Sequence, residues 1–333
     1  MTAPGAPASG EDSLIARYFK PLATDPGAFG LSDDAAVLNA LGDDIVVTTD
    51  ALVEGVHFLA DDPPHTIAQK ALRVNLSDLA AKGATPAGFV LSLALRNAEE
   101  TWLAAFAGGL GEDASGFNCP LLGGDTVSTP GPLMISITAF GRIAAGTMIR
   151  RSGAKPGDYV VVTGTIGDAA LGLDILKQGR AAAALAGDAA SRDMLVGRYR
   201  VPQPRNALAS ALHAHAHAAM DVSDGLAGDL AKLCAASAVS AVLDLKSVPL
   251  SKAAAVVLAA SAANLAELIA GGDDYEILCA IPPAALEEFS RMARAVRVSV
   301  NPIGTIVAGD SPPKWLDAQG KELPLTRTSY SHF

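Results

Sequence analysis

The sequence predicts a two-domain α/β (α+β) chain, and three observations carry that prediction. The chain has 333 residues, and at ~150 residues per domain this length fills about two domains. Half of its residues are hydrophobic and only 18% are charged, which is enough for buried cores and too apolar for a disordered chain. Strand-like and helix-like segments alternate on both sides of a polar, turn-rich stretch, "GTMIRRSGAKPGD" at 146–158. Such alternation points to layered α/β or α+β units. The expected division is a tail over 1–12, an N-terminal domain over 13–145, a linker over 146–157 and a C-terminal domain over 158–333.

In order along the chain, "DIVVTTD" at 44–50 is a β-branched run that ends in an acid and reads as a strand. Residues 66–86 read as a helix, with Gly83 and Pro86 as stop signals. "AGFVLSLAL" and "PLMISITAFGRI" read as strands, with a helix between them over 99–110. Beyond the turn-rich stretch, "YVVVTG" is a strand leading into a helix from Asp168, and an Ala-rich helical region follows. "DVSDGLAGDL" opens a further helix, and "AVLDL" and "YEILCAI" are strands. The apolar stretch 253–270 is dominated by Ala and interrupted by Ser, Asn and Glu267. It falls short of the ~20 strongly apolar residues of a membrane span and reads as one soluble helix.

The formal net charge is −10, the opposite of the basic stripe a nucleic-acid binder presents. It leaves anionic substrates open, because metal ions invert the local field. Three cysteines far apart, Cys119, Cys234 and Cys279, point to a reducing, cytoplasmic setting and away from a disulfide or zinc framework. The opening "MTAPGAPASG" has no basic stretch followed by an apolar run, so no secretory signal is expected in it.

The common phosphate loops, zinc helices, nucleophile elbows and kinase loops are absent from the sequence. What recurs is an aspartate at the end of an apolar strand or at the opening of a helix. The instances are Asp33 and Asp34, Asp50, Asp78, Asp125, Asp221 and Asp224, and the cluster Asp273, Asp274 and Glu276. Short, hard carboxylates beside Thr and Ser hydroxyls suit Mg²⁺. Taken singly, each also suits a turn or a helix cap. Asp78 is harder to explain that way. Ile67, Ala71 and Val74 share a helix face, and position i+11, Asp78, falls about 20° from the start of that stripe at ~100° per residue. An acid on an apolar face needs a cation or hydrogen-bond donors.

In "LLGGDT", Gly123 and Gly124 let the backbone approach a ligand that Asp125 could reach, or they form a tight turn. Arg150 and Arg151 offer guanidinium groups to phosphate, or a solvated surface. His57 follows the "TTD" strand closely enough to touch a substrate, or is a plain loop residue. His213 and His217 stand at i and i+4 in an expected helix, a metal face only if a third ligand joins them.

Ten segments appear in order: "SLIARYF", "SDDAAVL", "TTDALVEGVHF", "KALRVNLSDLAAKGATP", "LLGGDT", "RSGAKPGD", "VTGTIGDAALGL", "DVSDGLAGDL", "GGDDYEIL" and the terminal "YSHF". Together they resemble the thiamine-monophosphate kinase family, within the aminoimidazole-ribonucleotide-synthetase-like superfamily, over nearly the whole chain. The resemblance implies Mg²⁺-dependent transfer of the ATP γ-phosphoryl group onto thiamine monophosphate, giving thiamine diphosphate. It implies an N-terminal domain that pairs in a homodimer through a shared β-barrel, and a C-terminal α/β domain that closes a nucleotide cleft. It further implies that Asp34, Thr48, Thr49, Asp50, Asp78, Asp125, Asp221 and Asp224 bind magnesium ions. Gly124, Asp125, Arg151 and Ser223 would contact ATP, and His57, Asp273 and Tyr330 the thiamine phosphate. Asp50, Asp125, Arg151 and Asp221 would carry the transfer itself.

The acceptor is an ionised phosphate oxygen, so the task is positioning and charge neutralisation with no strong general base. The sequence departs from the family pattern at Asp273, where "GGDDYE" replaces the usual "GGEDYE" and shortens the acid by one methylene. The competing readings are a superfamily relative with another substrate and a non-catalytic divalent-cation binder. The spacing of acids in "DVSDGLAGD" does not match a calcium-binding EF-hand loop.

Overall fold

The computed structural model describes residues 14–26, 28, 38, 40–323, 325 and 328–329. Asp34, Tyr330 and the terminal "YSHF" lie outside the described residues. The chain divides into two compact units. One runs to Asn75 and resumes over Pro86–Arg142; the other takes Leu76–Thr85 and everything from Ile143 onward.

The first part of the chain forms β1 (Asp44–Val53), α1 (Pro64–Ala81), β2 (Thr85–Leu95), α2 (Glu100–Gly116), β3 (Leu121–Ser128) and β4 (Met134–Ile143). Its four strands lie in the order β1-β4-β2-β3. β2 and β3 run parallel, with Leu91 opposite Gly124 and Ser92 opposite Asp125. β4 alternates strictly, burying Ile135, Ile137 and Ala139, as a strand with one covered face should. The sheet is open, with β1 and β3 as its edges. The barrel implied by the resemblance is therefore not closed by the described residues of one chain.

The second unit adds β5 (Tyr159–Thr163), α3 (Asp168–Leu176), α4 (Arg180–Ala184), α5 (Ala189–Arg200), α6 (Ala209–His215) and β6 (Ala218–Val222). It continues with α7 (Leu226–Ser237), β7 (Ser240–Asp244), α8 (Lys252–Ala259), α9 (Leu265–Ile269), β8 (Glu276–Ile281), α10 (Leu286–Ala295), β9 (Val300–Val307) and β10 (Lys314–Leu316). Its six strands lie in the order β10-β7-β9-β5-β8-β6. Neighbours are antiparallel apart from β10 and β7. Both faces are covered. Val160, Val162, Met220, Leu278 and Trp315 pack in one core; Val161, Ala219, Ile277, Cys279 and Phe289 pack in another. Strands buried on two faces read as unbroken apolar runs, as "YVVVT" and "EILCAI" do. The cysteines are free and buried, and burial pushes the Cys234 thiol up to about 11 and the Cys119 thiol up to about 12.

Two sequence expectations fail locally. The stretch 253–270 is two helices, α8 and α9, because Ser261 takes a positive φ of 55°. Asn264 then starts α9 with a capping box, its side chain accepting from Glu267 N–H while the Glu267 side chain accepts from Asn264 N–H. The helix expected to carry both His213 and His217 stops short of His217 as well. α6 ends at His215, Ala216 is extended, and the Nδ1 of His217 lies 2.9 Å from the Asp158 carboxylate.

Candidate functional site: acid-bearing strand ends and loops

In the first unit, Thr48, Thr49 and Asp50 lie on β1 and Asp125 on β3. The Thr49 hydroxyl donates to the Ile137 carbonyl at 3.2 Å and accepts from Thr138 at 3.0 Å. β1 and β3 are opposite edges of the sheet, three strand spacings apart, which is about 14 Å measured along the sheet. Asp50 and Asp125 are thus not neighbours along the sheet.

Gly124 is explained by strand pairing. A Cβ there would sit 1.9 Å from the Leu91 carbonyl oxygen of β2, whereas one at Gly123 would meet nothing within 4 Å. The glycine lets β3 approach β2 where the sequence suggested room for a ligand or a turn.

His57 is fixed by a small loop. Its Nδ1 accepts from Val53 N–H at 3.0 Å, and its carbonyl accepts from the Lys70 ammonium at 2.9 Å. An accepting Nδ1 places the proton of the neutral ring on Nε2, which makes His57 a donor. Lys70 is 2% exposed and is a support that the sequence reading missed. The signal was there: Lys70 falls beside Ile67, Ala71 and Val74 on the buried face of α1.

In the second unit the structure brings several expected residues together. Asp221 is the penultimate residue of β6 and is buried, and the Ser77 hydroxyl donates to it at 2.9 Å. Lys82 donates to the Ala219 carbonyl at 2.9 Å. Burial holds its ammonium below the usual pKa, and the Arg151 guanidinium pushes the same way, against the pull of Asp221 and Asp78. Asp78, Asp221, Lys82 and Arg151 therefore form one electrostatic group. Lys82, too, was not singled out from the sequence.

The loop after β6 is organised by Asp229, an acid the sequence reading did not select. The Asp229 carboxylate accepts from Ser223, Asp224 and Gly225 N–H at 3.1, 3.0 and 3.2 Å. Lys232 donates to Asp229 at 2.8 Å and also to Asp224. Burial pushes the Asp229 carboxyl up, against those donors.

The "GGDDYE" turn lies beside this loop, since β8 starts where β6 ends and Glu276 is opposite Val222. Asp273 N–H donates to the Ser223 carbonyl and Tyr275 N–H to the Val222 carbonyl, both at 2.8 Å. A Cβ at Gly272 would sit 2.7 Å from the Ser223 carbonyl oxygen. That glycine admits the neighbouring backbone. The Asp274 carboxylate accepts from Gly167 N–H at 2.8 Å, at the start of α3. Burial pushes its carboxyl well above the ordinary range. Glu276 is fully buried and accepts from Arg198, Arg205 and Thr163. The positive partners of this acid cluster are in large part the chain's own arginines.

Family models match two regions: AIR synthase related protein, N-terminal domain, over residues 32–143, and its C-terminal domain over 155–312. The class is therefore a two-domain AIR synthase related protein. The thiamine-monophosphate kinase of Caulobacter vibrioides is 42% identical over 99% of this chain and 93% of its own. A crystal structure of thiamine-monophosphate kinase from Stenotrophomonas maltophilia K279a matches with a TM-score of 0.81 and 37% identity, covering 94% of this chain and 96% of that one. A structure described as "AaThiL complexed with AMPPCP and TMP" matches with a TM-score of 0.76 and 26% identity, covering 92% and 97%. The chain belongs to the thiamine-monophosphate kinase family, a family of enzymes. No helix among the described residues is long and apolar enough to cross a membrane.

Proposed function

We propose that the protein transfers the γ-phosphoryl group of ATP directly onto the phosphate of thiamine monophosphate, giving thiamine diphosphate. The observation that carries this is the identity of 42% over 99% of the chain to a thiamine-monophosphate kinase. The match to a relative complexed with AMPPCP and TMP supports the pairing of a nucleotide with a phosphorylated acceptor.

The donor set fits magnesium. The proposed ligands Asp34, Thr48, Thr49, Asp50, Asp78, Asp125, Asp221 and Asp224 offer hard oxygens only. Among the described residues no group of three His, Cys, Asp or Glu is placed to hold a metal by itself. Mg²⁺ binds through one or two carboxylates and completes its shell with phosphate oxygens and water. When bound, magnesium would neutralise phosphate charge at the transferring group.

The remaining roles belong to the chain. Gly124, Asp125, Arg151 and Ser223 bind the nucleotide, with Arg151 a fixed donor to phosphate oxygens. His57 donates from Nε2 and, with Asp273 and Tyr330, orients the acceptor. Asp229 orders the loop that presents Ser223 and Asp224, and Ser77 orients Asp221. The acceptor oxygen is already ionised, so no residue needs to remove a proton, and in-line attack follows from positioning. The enzyme acts in the cytoplasm as a homodimer paired through its N-terminal strands. The exposed apolar side chains of Val47, Val127 and Met134 on β1, β3 and β4 support such pairing.

The test is ADP release with Mg²⁺, with and without thiamine monophosphate. Stimulation by the acceptor is expected. Its absence, with ATP turned over regardless, would point to another substrate, and no turnover with retained cation binding would point to a non-catalytic binder. Asp125→Asn is expected to abolish turnover in a folded protein. Retention of configuration at a chiral γ-phosphorus would overturn direct transfer.

A further inference from the structure

The "GGDDYE" turn holds a conformation that its own sequence does not favour. Asp273 and Tyr275 have positive φ values of 72° and 50°, a region that non-glycine residues occupy when their surroundings force them into it. The forcing groups come from elsewhere in the chain. Arg198 of α5 donates to the Asp274 carbonyl at 3.1 Å and to the Glu276 carboxylate at 2.8 Å. Arg205 forks onto both oxygens of Glu276, and Thr163 donates to one of them at 2.6 Å. Glu276 is fully buried, so this charge is held by its partners and not by water. Asp274 is thus gripped at its carbonyl by Arg198 and at its carboxylate by Gly167. Asp273, the residue before it, is itself tied by its N–H to the Ser223 carbonyl at 2.8 Å, so its backbone is held on both sides.

We propose that the Arg198–Glu276–Arg205 group is a positioning device for the acceptor: it fixes the turn from behind, so that Asp273 is presented in one orientation, and it sets the affinity for thiamine monophosphate without touching it. The inference rests on the proposed placing of Asp273 at the acceptor. Neither arginine was selected by the family motifs, and neither lies in the segments that hold the proposed nucleotide contacts.

The lever is Arg198→Gln, because Arg205 still neutralises Glu276 in that variant. The KM for thiamine monophosphate should rise roughly 10- to 100-fold, the loss a small misplacement of a positioned group brings. The KM for ATP should change less than about twofold, since that effect is confined to the acceptor. Amide hydrogen exchange should show lost protection at Asp273 and Tyr275. Arg198→Lys should restore part of the acceptor KM, because its ammonium keeps the charge and can donate to the Asp274 carbonyl or the Glu276 carboxylate, but lacks the fixed plane of the guanidinium. Unchanged protection, or an equal rise of both KM values, overturns the proposal. If Arg198→Gln does not fold, Arg205→Lys keeps the charge and tests the same split at smaller size, with the same two outcomes against it. Asp273→Asn, measured in parallel, tests the placing of Asp273 alone. If it leaves the acceptor KM unchanged, that placing falls, while hydrogen exchange in Arg198→Gln still decides whether the arginines hold the turn.

Discussion

The two acid-rich loops of the C-terminal unit solve one problem in two ways. The 221–229 segment runs from the end of β6 through a short loop into α7, the 271–276 turn leads into β8, and the two are joined by the Asp273 N–H to Ser223 hydrogen bond. In the first, a buried carboxylate, Asp229 in the first turn of α7, is satisfied chiefly by the backbone of the loop just before it, accepting three N–H groups. In the second, a buried carboxylate, Glu276, is satisfied by guanidinium groups from distant segments. In both, the last acid of the motif is structural and fully buried, while earlier acids, Asp221, Asp224 and Asp273, are the ones proposed for ligands. Acid clusters at a candidate site thus need to be sorted by what already satisfies each carboxylate.

The comparison breaks most visibly at Glu276. Glu276→Ala leaves Arg198 and Arg205 facing one another with no counter-charge. Removing one partner of a buried ion group costs about 3–5 kcal/mol. Denaturant unfolding should show that loss. A cost near zero would mean that the arginines are solvated and the turn is held otherwise.

Asp229→Ala should cost less, about 2–3 kcal/mol, the scale of hydrogen bonds to a charged acceptor. Only backbone groups are orphaned, and some can turn to water. Asp229→Asn should recover part of it, because an amide oxygen can still accept. Unfolding curves for the pair check this, and equal losses would show that the charge, not the acceptor, matters.

Asp274 gives a pH-dependent contrast. Its folded pKa is raised by burial, so the native state binds the proton more tightly than the unfolded chain. This stability contribution is lost as pH rises from the ordinary carboxylate range towards the folded value. Asp274→Asn removes the titration and can keep an oxygen on Gly167 N–H. Its stability relative to the unsubstituted protein should therefore be better at pH 8 than at pH 5, by about 1 kcal/mol. Urea titrations at the two pH values test this, and a variant that gains stability on acidification would contradict the sign.

How much of this was legible in the sequence follows from how local each cause is. β1, β2, β4, β5 and β8 could be read because apolar alternation and apolar runs are properties of a few adjacent residues. Helical spacing, also local, put Asp78 on the inner stripe of α1; in the structure Ile67, Ala71 and Val74 of that stripe are buried and Asp78 is half-buried. The split between α8 and α9 was missed because one residue, Ser261, turns the chain through a positive φ. The arginine partners of Glu276 were not legible, since they stand 78 and 71 positions away in the chain. The strand-pairing reason for Gly124 was not legible, because a glycine near an acid looks the same whether it admits a ligand or the neighbouring strand's carbonyl.

The smallest expected effect sharpens the comparison most. Lys232 bonds both Asp224 and Asp229, as the arginines bond Glu276. Its side chain is 40% exposed, however, against 13% and 21% for Arg198 and Arg205. Water screens such a pair, so Lys232→Met should cost under about 1 kcal/mol. The cost should shrink further in high salt. The backbone N–H groups would still satisfy Asp229, and the loop should keep its shape. If Lys232→Met instead approaches the loss seen for Glu276→Ala, the first loop also depends on its cation, and the distinction between a carboxylate held by backbone and one held by side-chain charge collapses.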